Sequence, residues 1–262
     1  MQCYQITQNR ACRLIGISRS VFKYTAQGKG DDEIIKELKK LAHKFKRYGF
    51  KKIFAKLRKT GFKWNHKRVY RVYCSLKLNL KRRPKKRLPA REKIALGQPD
   101  KINQAWSLDY MSDALTSGKR FRTANVIDDH NREVLGIKAS ISLPSQQVIN
   151  FLEDLIAIRG FPKKIRMDNG PENIAKIMKK WADKNAIELQ YIEPGKPAQN
   201  GYIERFNRTY REEILDMYLF KNIEEVQLIT DKWMQEYNTE RPHFSLGNLT
   251  PQEYFIKHKI LF

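Results

Sequence analysis

The sequence predicts an α/β protein, a mixed sheet with helices on its faces, preceded by an all-α helix-turn-helix module, and three observations predict it. The first is a partition of charge. Of the +24 net charge of the 262 residues, residues 1–93 carry 29 Lys and Arg against 5 Asp and Glu, while residues 94–262 carry 23 of each. The second is apolar spacing at the helical period as far as about residue 75. The third is an order of strand, strand, strand, helix, strand, helix, strand, helix after Gln104, which implies a mixed sheet with helices packed on its faces. The 41% hydrophobic content can supply the core.

In the basic region, Ala11, Leu14 and Ile15 form a short helical stripe, Gly16 opens a turn, and Ser18 can cap a second helix that presents Arg19 and Lys23. Asp31 and Asp32 mark a helix start. Ile34, Ile35, Leu38, Leu41, Ala42 and Phe45 then repeat at helical spacing to about Arg47. Tyr48-Gly49 breaks that pattern. Phe50 to Thr60 follows with Ile53, Phe54 and Leu57 inward, and Gly61 is placed to end it. Asn65 caps His66 to Ser75, where Val69, Val72 and Tyr73 face inward and Lys67, Arg68 and Arg71 face out. Three short helices with a cationic third one suit a major groove. The bland alternative is a solubilising face, but the runs Lys81-Arg82-Arg83 and Lys85-Lys86-Arg87 exceed what solubility needs. Double-stranded DNA is the partner expected. Domain boundaries follow: residues 1–80 as the DNA-binding region, 81–103 as a basic Pro-containing linker, 104–220 as the main α/β core, and 221–262 as a C-terminal helix and tail that complete it.

In the second part, Ala105 to Met111, Phe121 to Ile127 and Glu133 to Ser140 alternate as strands, joined by turns at Ser117-Gly118 and Asp129 to Asn131. Ser145 to Arg159 is an amphipathic helix stopped by Gly160-Phe161-Pro162. Lys164 to Met167 is a strand, Ile174 to Lys184 a helix, Leu189 to Ile192 a strand, and Tyr202 to Leu215 and Glu224 to Tyr237 are helices. Ribonuclease H has this order of elements, as do several other α/β layouts. Cys3, Cys12 and Cys74 lack metal-site spacing and read as reduced thiols, so a cytoplasmic location is expected. No apolar run approaches the ~20 residues of a membrane span, and no membrane partner is expected.

Three acidic residues fall where this order makes them converge. Asp109 lies in the first strand, Asp168 ends the fourth, and Glu204 sits one turn into the helix after Gly201, with 35 residues between the last two. Two-metal phosphodiester chemistry needs such a carboxylate cluster, because hard cations clamp the attacking and leaving oxygens. Without metal the three repel one another, so at least one pKa should be raised. Asp113, Asp128, Asp129 and Glu172 read as turn or surface acids, and the five histidines show no ligand spacing.

At WSLDYM, KRFRTANVIDDHNRE, RGFPKKIRMDNGPE, PGKPAQNGYIERFNRTYREEIL and YNTERPHFSLGNLTPQEYF, the chain resembles insertion-sequence transposases encoded in two overlapping frames, specifically the downstream-frame product, and more distantly retroviral integrases. RYGFKKI and NHKRVYRVY resemble that family's helix-turn-helix region. The resemblance runs over nearly the whole chain and implies a ribonuclease H-like core with an Asp-Asp-Glu site on Asp109, Asp168 and Glu204. It also implies a need for Mg²⁺ or Mn²⁺, strand cleavage at transposon ends and joining to target DNA. Assembly as a homo-oligomer on DNA and fusion to, or binding of, an upstream-frame product follow from the same resemblance. Asn173 stands where the family usually has an aromatic, a departure expected to touch no carboxylate.

Around the triad, Arg208 and Arg211 share the helical face of Glu204 and can hold DNA phosphates. Lys196 and Asn200, with Gln199, occupy a Gly- and Pro-containing loop suited to contacting substrate. The chemistry expected is attack of water on one phosphodiester, then attack of the freed 3′ hydroxyl on another. Two readings compete with it: a catalytically inactive regulator or remnant that occupies transposon ends, and a structure-specific ribonuclease H-type nuclease.

Overall fold

The computed structural model describes residues 6–25, 30–80, 98–193 and 197–259. The basic runs within 81–87, most of the expected linker, Cys3 and Lys196 lie outside them. The chain forms two compact units, Met1–Phe45 with Trp64–Asn79, and Lys46–Lys63 with Leu80–Phe262.

The first unit holds α1 (Gln8–Ile15), α2 (Arg19–Lys23), α3 (Asp32–Lys44) and α5 (His66–Ser75), while α4 (Phe50–Lys59) belongs to the second. Capping chemistry sets several ends: Ser18 accepts from the amide of Val21 at 3.2 Å, and Asn65 from that of Lys67 at 2.8 Å. Ile34 and Leu38 of α3, and Val69, Val72 and Tyr73 of α5, are buried. The stripe expected on α1 is corrected. Leu14 and Ile15 are 73% and 71% exposed, and the buried residue is Cys12; a helix of two turns is too short for its apolar residues to define which side is covered.

The second unit is built on a sheet of β1 (Ala105–Ala114), β2 (Arg120–Asp128), β3 (Val134–Ser140), β4 (Lys164–Met167) and β5 (Glu188–Tyr191), in the order β3-β2-β1-β4-β5. β1, β2 and β3 are antiparallel neighbours, and β4 and β5 run parallel to β1. Parallel neighbours need helical crossovers. These are α6 (Ser145–Arg159) between β3 and β4, and α7 (Pro171–Ile174) with α8 (Lys176–Lys184) between β4 and β5. The helix expected over 174–184 is divided at Ala175, whose ψ of 140° is extended.

Strand alternation sorts the core into two layers. Trp106, Leu108, Val126, Ile165 and Met167 join Leu152, Met178 and Trp181 on the α6/α8 side. Met111, Phe121, Ile127 and Ile137 join Ile203, Phe206, Tyr210 and Trp233 on the side of α9 (Gly201–Tyr210) and α10 (Ile223–Thr239). α9 continues into a π-helical turn at Arg211–Leu215. A helix that the apolar pattern does not predict, α11 (Pro251–Lys259), closes the chain. Its signal is a capping box: Thr250 Oγ1 accepts from the Glu253 amide at 3.1 Å, and the Glu253 carboxylate accepts from the Thr250 amide at 2.8 Å.

α4 is fastened within this second unit. Lys56 pairs with Glu240 at 2.8 Å, Lys59 pairs with Glu253, and Tyr48 lies 5.3 Å from the Arg241 guanidinium. Arg241, 6% exposed, also pairs with Glu213. No helix among the described residues is long and apolar enough to cross a membrane.

Candidate active site

The parallel register of β1 and β4 pairs Trp106 with Ile165 and Ser107 with Arg166. Carried two residues past the last paired positions, that register leads to Asp109 and to Asp168, just past the end of β4, and the charge of Asp168 acts on Asp109. Alternation gives Asp109 its direction. Trp106 and Leu108 point to α6 and α8, so Asp109 points to α9.

On that side an amide relay receives it. Asn207 donates from Nδ2 to Asp109 Oδ2 at 2.7 Å, and Asn125, the cross-strand partner of Asp109 on β2, donates to Asn207 Oδ1 at 2.7 Å. The other oxygen of Asp109 accepts from the Tyr110 amide at 2.9 Å. Asn207 lies three residues after Glu204, so the same helical stripe that touches Asp109 carries Glu204 one turn earlier. Glu204 is exposed.

Burial raises the Asp109 carboxyl to about 6. The Tyr110 amide opposes the shift, the charges of Asp168 and Glu204 add to it, and Asn207 opposes it. The expected raised pKa is therefore present, with desolvation ahead of mutual repulsion. Among the described residues no group of three or more His, Cys, Asp or Glu is arranged to hold a metal ion, and Asp109, Asp168 and Glu204 form no ion pair with a cation.

Asp168 is held from another direction. Its Oδ1 accepts from the Gly170 amide at 3.1 Å and from Asn173 Nδ2 at 2.7 Å. The expectation that Asn173 touches no carboxylate is thus corrected. The side chain is fully buried and turned inward by Tyr110, whose hydroxyl donates to Asn173 Oδ1 at 2.9 Å. Neither Asn173 nor Asn207 was a candidate in the sequence. Asn207 could have been found as the residue one turn after Glu204 on the same stripe, whereas the role of Asn173 depends on a contact with β1 that local spacing does not reveal.

The acids set aside in the sequence have structural partners. Asp128 caps its turn through the His130 and Asn103 amides, each at 2.8 Å. Asp129 accepts from Ser107 at 2.7 Å and pairs with Arg166 at 2.8 Å. Glu172 pairs with Arg122, and Asp113 with Arg211.

The candidate DNA contacts divide. Lys67 and Arg208 are exposed. Arg68 and Arg71 both bond Asp31, at 2.8 and 2.6 Å, and hold its carboxyl below the usual range. Arg211 is engaged with Asp113 and with the Ser112 carbonyl, at 2.9 Å, while Asn200 is 3% exposed.

A five-stranded mixed sheet in the order β3-β2-β1-β4-β5, with helices packed on its faces, is the layout of an integrase-like core. Comparison with known proteins agrees. The integrase core domain family matches residues 99–197 and, through a second integrase core description, 185–251, and an HTH-like domain matches 29–87. The chain is 36% identical to the "Insertion element IS407 uncharacterized 31.7 kDa protein" of Burkholderia multivorans over 97% of this chain and 92% of that one. It is 23% identical to "Transposase InsD for insertion element IS2A/D/F/H/I/K" of Escherichia coli, over 86% and 78%. Among solved structures, a chain of the simian T-cell lymphotropic virus intasome in complex with a PP2A regulatory subunit shares the fold. The TM-score is 0.50 at 19% identity, covering 81% of this chain and 72% of that one. The chain belongs to the insertion-element transposases with an integrase core, which are DDE-type polynucleotidyl transferases acting in DNA transposition.

Proposed function

We propose that Asp109, Asp168 and Glu204 are the catalytic carboxylates and that together they hold the divalent cations, Mg²⁺ or Mn²⁺, used for cleavage at insertion-sequence ends and joining to target DNA. The observation that carries this reading is the strand register that leads to Asp109 and Asp168, with the Asn207 bond tying the helix of Glu204 to Asp109. The donor set fits a hard cation. It is all oxygen, desolvated at Asp109, and paired with no basic side chain among the described residues. A bound divalent cation would supply neutralisation of charge on the phosphodiester during in-line displacement.

The chain's own residues do the rest. The two aspartates are pre-oriented by neutral amide donors, so their negative charge stays available to a ligand. Glu204 is exposed on a helix whose next turn is anchored to Asp109 through Asn207, and its charge acts on Asp109. Lys67 and Arg208 are the first candidates for phosphate contacts. Arg68, Arg71 and Arg211 can join them only while keeping or exchanging their carboxylates, and Asn200 only after exposure. We assign DNA recognition to the basic N-terminal region, and assembly of several copies on DNA follows the example of the viral intasome neighbour.

Asp168→Asn and Glu204→Gln test the reading. Each is expected to reduce Mg²⁺-dependent strand joining on transposon-end DNA by roughly a thousandfold or more, the several kcal/mol a metal site supplies, while gel-shift binding of the same DNA persists. Undiminished joining by either variant rejects the assignment.

A further inference from the structure

The two aspartates are not oriented independently. Among the described residues, Asp168 Oδ1 takes the two donors that reach the carboxylate, the Gly170 amide at 3.1 Å and Asn173 Nδ2 at 2.7 Å, which leaves Oδ2 as the open face. A side chain at position 170 would crowd this arrangement, since a Cβ there would stand 3.0 Å from Asp168 Oδ1 and 3.3 Å from Glu172 Oε2. Asn173 is itself locked at both ends. Its Oδ1 accepts from the Tyr110 hydroxyl at 2.9 Å, its carbonyl from the Tyr191 hydroxyl at 3.0 Å, and its Nδ2 also reaches the Asp168 carbonyl at 3.3 Å.

An amide side chain has one accepting and one donating end. The Asp168 carboxylate only accepts, so it meets the donating end of Asn173, and the Tyr110 hydroxyl, which can donate or accept, donates to the other end. Turned over, Asn173 would set an oxygen against a carboxylate oxygen, so Asp168 itself fixes which way the amide lies. Tyr110, which holds the far end of that amide, also gives its backbone amide to Asp109 at 2.9 Å. One residue of β1 therefore orients a carboxylate on its own strand through its main chain and a carboxylate beyond β4 through its ring. Arg122 lies 4.9 Å from the Tyr110 ring and pairs with Glu172, which steadies the same corner.

We propose that Asn173 is a positioning residue that makes Asp168 a one-oxygen metal ligand through Oδ2, and that Tyr110 anchors the Asn173 side chain in place for this task. The proposal rests on the assignment of Asp109 and Asp168 as metal ligands. Groups that orient metal ligands typically change metal affinity by 10–100-fold when removed.

The test uses the full chain with Asn173→Leu, Tyr110→Phe and Asp168→Asn as variants. Mn²⁺ binding to the protein alone is read by electron paramagnetic resonance, alongside the Mg²⁺ dependence of strand joining and metal-free thermal melts. Asn173→Leu is expected to weaken Mn²⁺ binding and to raise half-saturating Mg²⁺ by about 10-fold or more, with the rate at saturating Mg²⁺ changed far less. Tyr110→Phe should shift the same two quantities in the same direction by a smaller factor, and it serves if the Asn173 variant does not fold. Unchanged Mn²⁺ binding and unchanged half-saturation in a folded Asn173 or Tyr110 variant overturn the proposal. Mn²⁺ binding that survives Asp168→Asn overturns the ligand assignment itself, which separates the two failures.

Discussion

Asp109, half-buried on β1, and Asp129, buried in the turn after β2, both have carboxyls raised to about 6 chiefly by desolvation, and Asp129 bonds Ser107 and Arg166, the cross-strand pair two residues before Asp109 and Asp168. Their surroundings are opposite. Asp129 is bonded by Ser107 and paired at 2.8 Å with Arg166, the two residues that face each other across β1 and β4. Asp109 is given only neutral donors, and the charges nearest it are the like charges of Asp168 and Glu204. A buried anion with an internal counter-ion is part of the scaffold. One kept company by other anions costs stability until a cation arrives from outside.

Three experiments would break or sharpen this contrast. The largest effect is expected from Asp109→Asn. Joining activity should fall by roughly a thousandfold, yet the metal-free melting temperature near pH 7 should hold or rise, because an amide replaces a desolvated charge that has neutral donors but no counter-ion among the described residues. A clear loss of melting temperature would show that Asp109 is structural after all.

Asp129→Asn should behave in the reverse way. Removing one partner leaves Arg166, whose side chain is 9% exposed, as an uncompensated buried cation, at a cost of about 3–5 kcal/mol in urea unfolding. The double variant Asp129→Asn with Arg166→Met should recover much of that loss. Equal unfolding midpoints for wild type and Asp129→Asn would contradict the scaffold role.

The smallest effect concerns pH. The folded pKa of Asp109, about 6, lies above the ordinary aspartate value. Its favourable contribution to metal-free stability is therefore fully present below that ordinary value and is lost as pH rises through about 6. Metal binding runs the other way, since a proton on Asp109 competes with the cation. Half-saturating Mg²⁺ should rise roughly tenfold per pH unit below 6, and Mg²⁺ should raise the melting temperature near pH 7.5 but scarcely near pH 5. Asp109→Asn should abolish that Mg²⁺-dependent stabilisation. An equal Mg²⁺ effect at both pH values would remove Asp109 from the metal-binding reading.

Much of the sheet was legible because strands alternate and helices repeat, and residues as apolar as Trp106, Leu108, Ile165 and Met167 declare their side. The order of elements set Asp109, Asp168 and Glu204 on three of them. What local pattern could not convey was pairing at a distance. Arg68 and Arg71 meet Asp31 from 37 and 40 positions away, which turns two expected groove contacts into internal ties. Asn173 meets Tyr110 from 63 positions away and Asn207 meets Asp109 from 98, and an asparagine gives no periodic signal. α11 is a different case. Thr250-Pro251-Gln252-Glu253 spells out its cap, but its apolar residues do not gather on one side, so a reading by apolar stripe passes over it.

The placement of α4 bears on how such proteins can diversify. The polypeptide leaves the unit of residues 1–45, contributes 46–63 to the sheet-containing unit, returns for 64–79 and only then enters the rest of that unit. No single breakpoint separates head from body. Exchange of the first unit alone between two such chains therefore calls for two junctions, one on each side of α4, because a single junction would move α4 with it or divide Lys56 from the Glu240 it was selected beside.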